Sequence, residues 1–129
     1  MKVRAIYRPR IVTATGDQRL QDAAVRMQDN EVSSLLVMTE AGAGARPVGI
    51  VTERDLARAI AWGADPTVET VEEYMTTQPV LVELDADVHD VALAMLELEC
   101  RHLPVVDTAG RVVGMVSIRD LLGSVLRVA

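Results

Sequence analysis

The stretch GIVTERDLARAI, residues 49–60, decides the fold because the chain writes its pattern again as GMVSIRDLLGSV, residues 114–125. Each stretch predicts an apolar strand that runs directly into a helix. Glycine, valine, arginine, aspartate and leucine recur at matching places in the two stretches, and Thr52 recurs as Ser117, which keeps the hydroxyl. Such self-similarity at a fixed spacing indicates a duplicated supersecondary unit.

The duplication continues towards the N-terminus. LQDAAVRMQDNEVSSLLV (20–37) aligns without a gap with VHDVALAMLELECRHLPV (88–105), and six residues are identical. In both segments apolar residues recur at i, i+3, i+4 and i+7, the stripe of a helix with one buried face. Asp17 and Asp85 precede these helices, and we predict that they are the N-caps. The spacing between the two copies changes only in the glycine-rich turn TEAGAGARP (39–47), where inserted residues are tolerated.

The two halves therefore share one order of elements, strand–helix–strand–strand–helix, which predicts an α/β (α+β) fold. We expect two tandem repeats of this β-α-β-β-α unit, packed sheet to sheet with pseudo-two-fold symmetry. The predicted boundaries are 1–63 for repeat 1, 64–78 for a linker with one helical turn, and 79–129 for repeat 2. Neither half, at about 60 residues, would bury enough apolar surface to be stable alone.

Composition argues against several classes of protein. The net charge of −6 disfavours nonspecific binding to nucleic acid, which needs a basic face. The chain has no Phe, one Trp and two Tyr, whereas a single-strand binder offers aromatic stacking platforms. No apolar run approaches the roughly 18 residues of a membrane span, and no apolar signal region follows the basic N-terminus. A single cysteine, Cys100, fits a reducing compartment. We therefore expect a cytoplasmic protein that binds neither nucleic acid nor membranes.

The sequence also offers little for catalysis. Two His, one Cys and no carboxylate cluster of metal-ligand spacing leave little from which to build a nucleophile–base pair or a zinc site. We predict a protein that is not an enzyme and that needs no obligatory cofactor or metal.

The repeated corner, Thr52-x-x-Asp55 and Ser117-x-x-Asp120, has two interpretations. In the first it is a capping box, in which the hydroxyl and the carboxylate satisfy backbone N–H groups at the start of a helix. In the second it binds a nucleotide: the helix N-terminus and the hydroxyl suit a phosphate, and the carboxylate suits the two hydroxyls of a ribose. The glycine that precedes each corner would let a ligand approach the backbone closely. Both interpretations stay open at this stage.

Three features together closely resemble a known family. They are the duplicated G-h-h-[ST]-x-x-D (49–55 and 114–120), EYMTTQPVLVELDADVHDVALAM (73–95) and RHLPVVDTAGRVVGMVS (101–117). The chain resembles a tandem pair of CBS domains, a Bateman module, over essentially its whole length, and SSLLVMTEAGAGARPVGIVT (33–52) is a looser version of the motif in the first half. The resemblance implies regulatory binding of an adenine nucleotide (AMP, ADP or ATP) or, in some members, S-adenosylmethionine.

The resemblance also implies roles for individual residues. In ligand-bound members the Asp of the closing helix holds the ribose and the Thr or Ser serves the phosphate. The adenine contacts come from the first strand of the other repeat. The first predicted cleft holds Thr52, Asp55, Ile50, Pro79 and Val80. The second predicted cleft holds Ser117, Asp120, Met115, Ile11 and Val12.

A basic pair before the second strand often reaches the phosphate in this family. The matching residues are Arg101 and His102, which we expect to face the first cleft, whereas repeat 1 offers only Ser33 and Ser34 there. Phosphorylated ligands should therefore prefer the cleft that contains Asp55.

Taken together, these patterns predict a non-enzymatic sensor of adenine nucleotides that signals to an unknown effector protein. The closing helices, 53–62 and 118–127, carry apolar residues on more than one face, which favours a homodimer through them. Two alternatives stay open: a ligand-free interaction scaffold whose corners only cap helices, and a CBS pair that binds S-adenosylmethionine.

Overall fold

The computed structural model describes residues 1–42 and 44–126. Within them the mixed α/β fold class is confirmed, with two sheets and four helices. The strands are β1 Thr13–Thr15, β2 Ser34–Met38, β3 Pro47–Thr52, β4 Thr76–Thr77, β5 Val82–Glu83, β6 His102–Val106 and β7 Val112–Ser117. The helices are α1 Leu20–Asn30, α2 Glu53–Ala61, α3 Val88–Leu98 and α4 Ile118–Leu126, and single 3-10 turns cover Val3–Ala5 and Val71–Glu73.

The chain forms two compact units, and these do not follow the predicted boundaries of 1–63, 64–78 and 79–129. The central unit is Val12–Pro79, and the terminal unit combines Met1–Ile11 with Val80–Ala129. The first eleven residues thus join the second repeat, and the linker joins the first. The reason is hydrogen bonding: the Val3 N–H donates to the Ala86 carbonyl, and the Val71 N–H donates to the Gln18 carbonyl. Backbone groups in irregular segments need such partners wherever they are buried.

The central unit contains a four-stranded sheet in the order β1-β2-β3-β4. Strands β1 and β2 are parallel, and β3 is antiparallel to both of its neighbours. Strand β2 is an apolar run, and its residues Leu35, Leu36 and Val37 are almost fully buried. The core of this unit consists of Val12, Ala14, Ala23, Met27, Leu35, Val37, Val51 and Val71.

The terminal unit contains a three-stranded sheet in the order β5-β6-β7. Strand β5 is parallel to β6, and β6 is antiparallel to β7. Residue Arg8 adds one antiparallel bridge on β7, opposite Met115. The core of this unit consists of Val3, Val82, Val91, Met95, Leu103, Val105, Val116 and Leu121.

The predicted N-cap of the first long helix, Asp17, is wrong. Helix α1 begins after Arg19, whose backbone N–H donates to the Asp22 carboxylate at 3.1 Å. Asp17 instead accepts a hydrogen bond from the Thr15 hydroxyl at 2.6 Å, in the turn before the helix. Two aspartates lie near this helix start, and the sequence alone does not distinguish which of them serves it.

The second predicted N-cap, Asp85, is wrong for a similar reason. Asp87 is the N-cap of α3 and accepts the backbone N–H of His89 at 2.8 Å. Asp85 forms an exposed ion pair with Arg4 at 2.7 Å.

Among the described residues, no helix is both long enough and apolar enough to span a membrane.

Candidate functional site

The corner at the end of β3 is a capping box. Thr52 is the last residue of β3, and its hydroxyl oxygen accepts the backbone N–H of Asp55 at 3.2 Å. The Asp55 Oδ2 atom accepts both the backbone N–H of Thr52, at 2.9 Å, and its hydroxyl, at 3.1 Å. Two backbone N–H groups at the start of α2 are thereby satisfied, which confirms the capping interpretation.

The corner at the end of β7 repeats this network. The hydroxyl of Ser117 accepts the Asp120 N–H at 3.2 Å. The Asp120 Oδ2 atom accepts the backbone N–H of Ser117 at 3.0 Å and its hydroxyl at 2.9 Å. Each distance is close to its counterpart at the first corner. The duplication in sequence is therefore a duplication in local geometry.

An arginine pairs with the carboxylate of the second corner. Arg8 Nε lies 2.9 Å from Oδ1 of Asp120. The Asp120 side chain is 7% exposed, and that of Arg8 is 68% exposed. An exposed guanidinium therefore pairs with a nearly buried carboxylate.

The equivalent position in the central unit holds a threonine. Thr76 is the antiparallel partner of Ile50 in β3, as Arg8 is the partner of Met115 in β7. Thr76 is exposed and neutral. The spacing that places residues 20–37 over residues 88–105 also places Arg8 over Thr76, so the sequence contains this difference, but it does not show what Arg8 contacts.

The prediction that the repeated glycines make room for a ligand is wrong, because the chain itself fills that space. A Cβ atom on Gly114 would lie 2.1 Å from the carbonyl oxygen of Arg8. A Cβ atom on Gly49 would lie 2.7 Å from the carbonyl oxygen of Thr76. Each glycine therefore lets the neighbouring backbone segment approach its strand, which is one of the roles that only glycine can fill.

The predicted phosphate-binding pair lies at the start of β6, in the terminal unit. His102 is the antiparallel partner of Ser117, and the carbonyl of Arg101 accepts the Ile118 N–H at 2.9 Å. Arg101 is exposed and His102 is half-buried. The pair thus borders the Ser117 corner of its own unit, and its predicted grouping with Asp55 stays a prediction.

The matching residues of the central unit are Ser33 and Ser34. The carbonyl of Ser33 accepts the Glu53 N–H at 3.0 Å, and Ser34 is the antiparallel partner of Thr52. The backbone pairing around both corners is thus the same, but the side chains at the matching positions differ.

The predicted adenine contacts lie where the chain passes from one unit to the other. Ile11 ends the first segment of the terminal unit and Val12 opens the central unit, while Pro79 closes the central unit and Val80 resumes the terminal one. Val12 is 9% exposed and Val80 is 44% exposed. Contact between these four residues and a ligand stays a prediction.

Reactive and metal-binding groups are sparse in the described part of the chain. Burial raises the pKa of the Cys100 thiol, which disfavours the reactive thiolate. Within residues 1–42 and 44–126, no group of three or more His, Cys, Asp or Glu side chains could hold a metal ion.

Comparison with known proteins identifies the origin of the duplicated frame. The model of the CBS domain matches the chain twice, at residues 3–61 and at residues 71–127. The chain belongs to the CBS-domain family. The two matches account for both corners and for the strands and helices that carry them.

Two uncharacterized proteins are similar to nearly the whole chain. An uncharacterized protein of Methanopyrus kandleri is 29% identical over 124 residues, which are 95% of this chain and 61% of that protein. An uncharacterized 17.7 kDa protein of Acidianus ambivalens is 34% identical over 98% of this chain and 74% of its own length. The chain therefore spans between three fifths and three quarters of these two relatives.

A solved structure is also similar over the full length. It is the CBS domain pair of protein MJ0100 in complex with 5′-methylthioadenosine and S-adenosyl-L-methionine. The TM-score is 0.86, the sequence identity is 29%, and the match covers 100% of this chain and 98% of that chain.

Proposed function

We propose that this CBS pair is a non-catalytic sensor that binds an adenine nucleotide (AMP, ADP or ATP) at its helix N-terminal corners. The observation that carries the proposal is the likeness to a CBS pair that holds two adenosyl compounds. That likeness covers the whole chain, and therefore also the segments that carry the two Thr/Ser-x-x-Asp corners. The charge of −6 and the scarcity of aromatic residues speak against nucleic acid as the alternative ligand.

The chemistry of the corner suits a nucleotide even while it caps a helix. The cap engages Oδ2 of Asp55, and each carboxylate oxygen has lone pairs for further donors. A ribose offers two neighbouring hydroxyl donors, which match a carboxylate. The N-terminus of α2 adds backbone N–H groups and the positive end of the helix dipole, which suit a phosphate.

A titration with Asp55→Ala tests this role. We expect calorimetry to show a loss of about 1.5–3 kcal/mol in binding free energy for AMP, the range for hydrogen bonds to a charged group. The free energy of unfolding should fall by about 0.5–2 kcal/mol through the lost cap. Asp17→Ala is the matched control, since it removes the same charge from a turn of the same unit, outside the corner. Wild-type affinity in Asp55→Ala would contradict the ribose role.

A thermal-shift panel with AMP, ADP, ATP, 5′-methylthioadenosine and S-adenosylmethionine identifies the class of ligand. A ligand that binds only the folded state raises the unfolding temperature with its concentration. A response to S-adenosylmethionine alone would favour the second ligand class, to which the ligands of protein MJ0100 point.

The capping network supports a second candidate function, a ligand-free interaction scaffold. Both corners satisfy their own backbone donors without any ligand, so capping alone suffices to explain the residue types. A folded protein whose unfolding temperature responds to none of the five compounds would favour the scaffold.

We also propose that the protein forms a homodimer through its closing helices and transmits its signal to an effector protein. On α4 the side chains of Leu122, Val125 and Leu126 are 55%, 69% and 76% exposed. On and after α2, Ile60 and Trp62 are 53% and 72% exposed. Apolar side chains clustered at this exposure are typical of interfaces. Ligand would act by favouring one arrangement of protomers over another.

Light scattering at tens of micromolar tests the dimer. We expect twice the mass of one chain for the wild type and a single-chain mass for Val125→Glu, because a buried unpaired carboxylate is unfavourable in an interface. Glu97→Gln, an exposed change on α3, is the control. A monomeric wild type would contradict the proposal.

A further inference from the structure

Arg8 occupies one oxygen of the Asp120 carboxylate, the group that the proposed function assigns to a ribose. Arg8 Nε lies 2.9 Å from Oδ1, while Oδ2 accepts two hydrogen bonds from Ser117. The Asp120 side chain is only 7% exposed. Each oxygen of this carboxylate therefore already has a protein donor, and little of it is open to an incoming hydroxyl.

The backbone holds Arg8 in this position. Its N–H donates to the Met115 carbonyl at 2.8 Å, and its carbonyl accepts the Met115 N–H at 3.0 Å. Pro9 follows, and a residue before proline is restricted to extended conformations. Gly114 lets the two backbones meet, since any larger residue would collide with the Arg8 carbonyl at 2.1 Å. The backbone hydrogen bonds to Met115 thus hold Arg8 where its guanidinium contacts the Asp120 carboxylate.

The other corner provides the comparison within one molecule. Thr76 has the register position of Arg8, opposite Ile50 in β3. A threonine side chain is short and neutral, so it brings no cation to the Asp55 carboxylate. The two caps have nearly the same hydrogen-bond distances. The caps themselves therefore give no reason for unequal ligand binding, whereas the exchange of Arg8 for Thr76 does.

We infer that Arg8 is an internal competitor for the Asp120 carboxylate and that it makes the Asp55 corner the high-affinity site for ribose-bearing ligands. This inference rests on the proposed function, because it concerns the choice between its two corners. A ligand that needs Asp120 must displace a charge-assisted hydrogen bond. The exposed guanidinium is well solvated once released, so the penalty lies at the low end of the range for such bonds, about tenfold in affinity.

A reciprocal exchange tests the inference: Arg8→Thr copies Thr76, and Thr76→Arg copies Arg8. The probe is 5′-methylthioadenosine, which carries both ribose hydroxyls and no phosphate, so that it reports on the carboxylate alone. In an Asp55→Ala background, which isolates the second corner, Arg8→Thr should tighten binding about tenfold or more. In an Asp120→Asn background, which keeps acceptors for the Ser117 cap, Thr76→Arg should weaken binding about tenfold. Arg4→Thr removes an exposed ion pair elsewhere in the terminal unit and should change neither.

The outcomes separate this inference from the proposed function. Two equal sites per wild-type chain would overturn the inference and leave nucleotide binding intact. Weaker binding of AMP by Arg8→Thr in the Asp55→Ala background would also overturn it, because Arg8 would then be a phosphate ligand. Absence of binding by the wild type and by both exchanged variants would overturn the proposed function itself. Unfolding curves check that each variant is folded. If Arg8→Thr does not fold, the effect of Thr76→Arg on binding tests the inference by itself.

Discussion

The two corners of this protein share the same backbone arrangement and differ in the side chains around it, most directly in the residue opposite the strand that ends in the corner. At each corner a hydroxyl and a carboxylate cap a helix with nearly identical distances. At each corner a glycine admits a second backbone segment. Yet that segment presents Arg8 to one carboxylate and carries Thr76 at the other. The backbone is thus duplicated, while the residue opposite each strand, Arg8 or Thr76, changes the charge beside its corner.

The largest expected effect is on the free energy of unfolding, when the glycines that admit the second backbone segment are replaced. Gly114→Ala should lower the free energy of unfolding by about 3 kcal/mol or more, because the new methyl group would overlap backbone, which cannot yield cheaply. Gly49→Ala should lower it by about 1–2 kcal/mol, since its contacts are longer, at 2.7 Å, and one of them is the flexible Met75 side chain. Urea unfolding of both variants checks the order. Gly123→Ala is the control, since nothing lies within 4 Å of a Cβ atom there.

The next effect concerns phosphate. Arg101→Ala should weaken AMP and ATP by about 1.5–3 kcal/mol and leave 5′-methylthioadenosine unchanged, because only the nucleotides carry the group that a guanidinium grips. Calorimetry in the Asp55→Ala and Asp120→Asn backgrounds shows which corner Arg101 serves. Sequence reasoning assigns it to Asp55, and loss of the effect only when Asp120 is changed would reassign it. Equal AMP affinity in Arg101→Ala and the wild type would remove Arg101 from the site.

The smallest effect compares the two turns between antiparallel strands. Asp107 begins the turn between β6 and β7, and Thr39 has the matching position before β3. The backbone N–H of Arg111, donating at 2.9 Å, holds the pKa of the Asp107 carboxyl below its ordinary value of 3.8. A lowered pKa in the folded state means that the carboxylate stabilises the fold above the unfolded-state pKa. That contribution is lost as the pH falls through the folded pKa.

Asp107→Thr, which copies Thr39, should therefore be less stable than the wild type at pH 7, and the difference should shrink below about pH 4. Thermal unfolding at pH 7, 4 and 3 measures it. A stability difference that does not change with pH would show that the carboxylate's charge plays no part. Asp85→Thr, at an aspartate with an exposed ion pair in the same unit, controls for loss of charge.

The sequence predicted the elements of the fold better than their grouping in space. Alternating strand and helix patterns and the recurrence of GIVTERD-like segments were enough to predict all four helices and every strand except β4 in the described chain. The N-caps Asp17 and Asp85 were wrong because each helix start is flanked by further polar residues that also cap. Short aspartate-rich turns offer several hydrogen-bonding solutions of similar energy, and packing selects among them.

Only the parts of the candidate site that are local in the sequence could be predicted. Both corners follow from a motif of four residues, and both are present as capping networks. The role of Arg8 could not be read from periodicity, because its bridge to Met115 is isolated and joins residues more than a hundred positions apart. Strand β4, with only Thr76 and Thr77, is likewise too short to carry an alternation.

The division of the chain at Ile11 and Pro79 has a consequence for the order of synthesis. The central unit ends at Pro79, so all of its residues are present as soon as Pro79 has left the ribosome. Residues before Val12 cannot complete their unit then, because Val3 packs into a core built largely from residues after 80, and Arg8 pairs with Met115. During translation the apolar residues Val3, Ile6 and Tyr7 therefore leave the ribosome before the central unit does, and their packing partners follow only after about a hundred further residues.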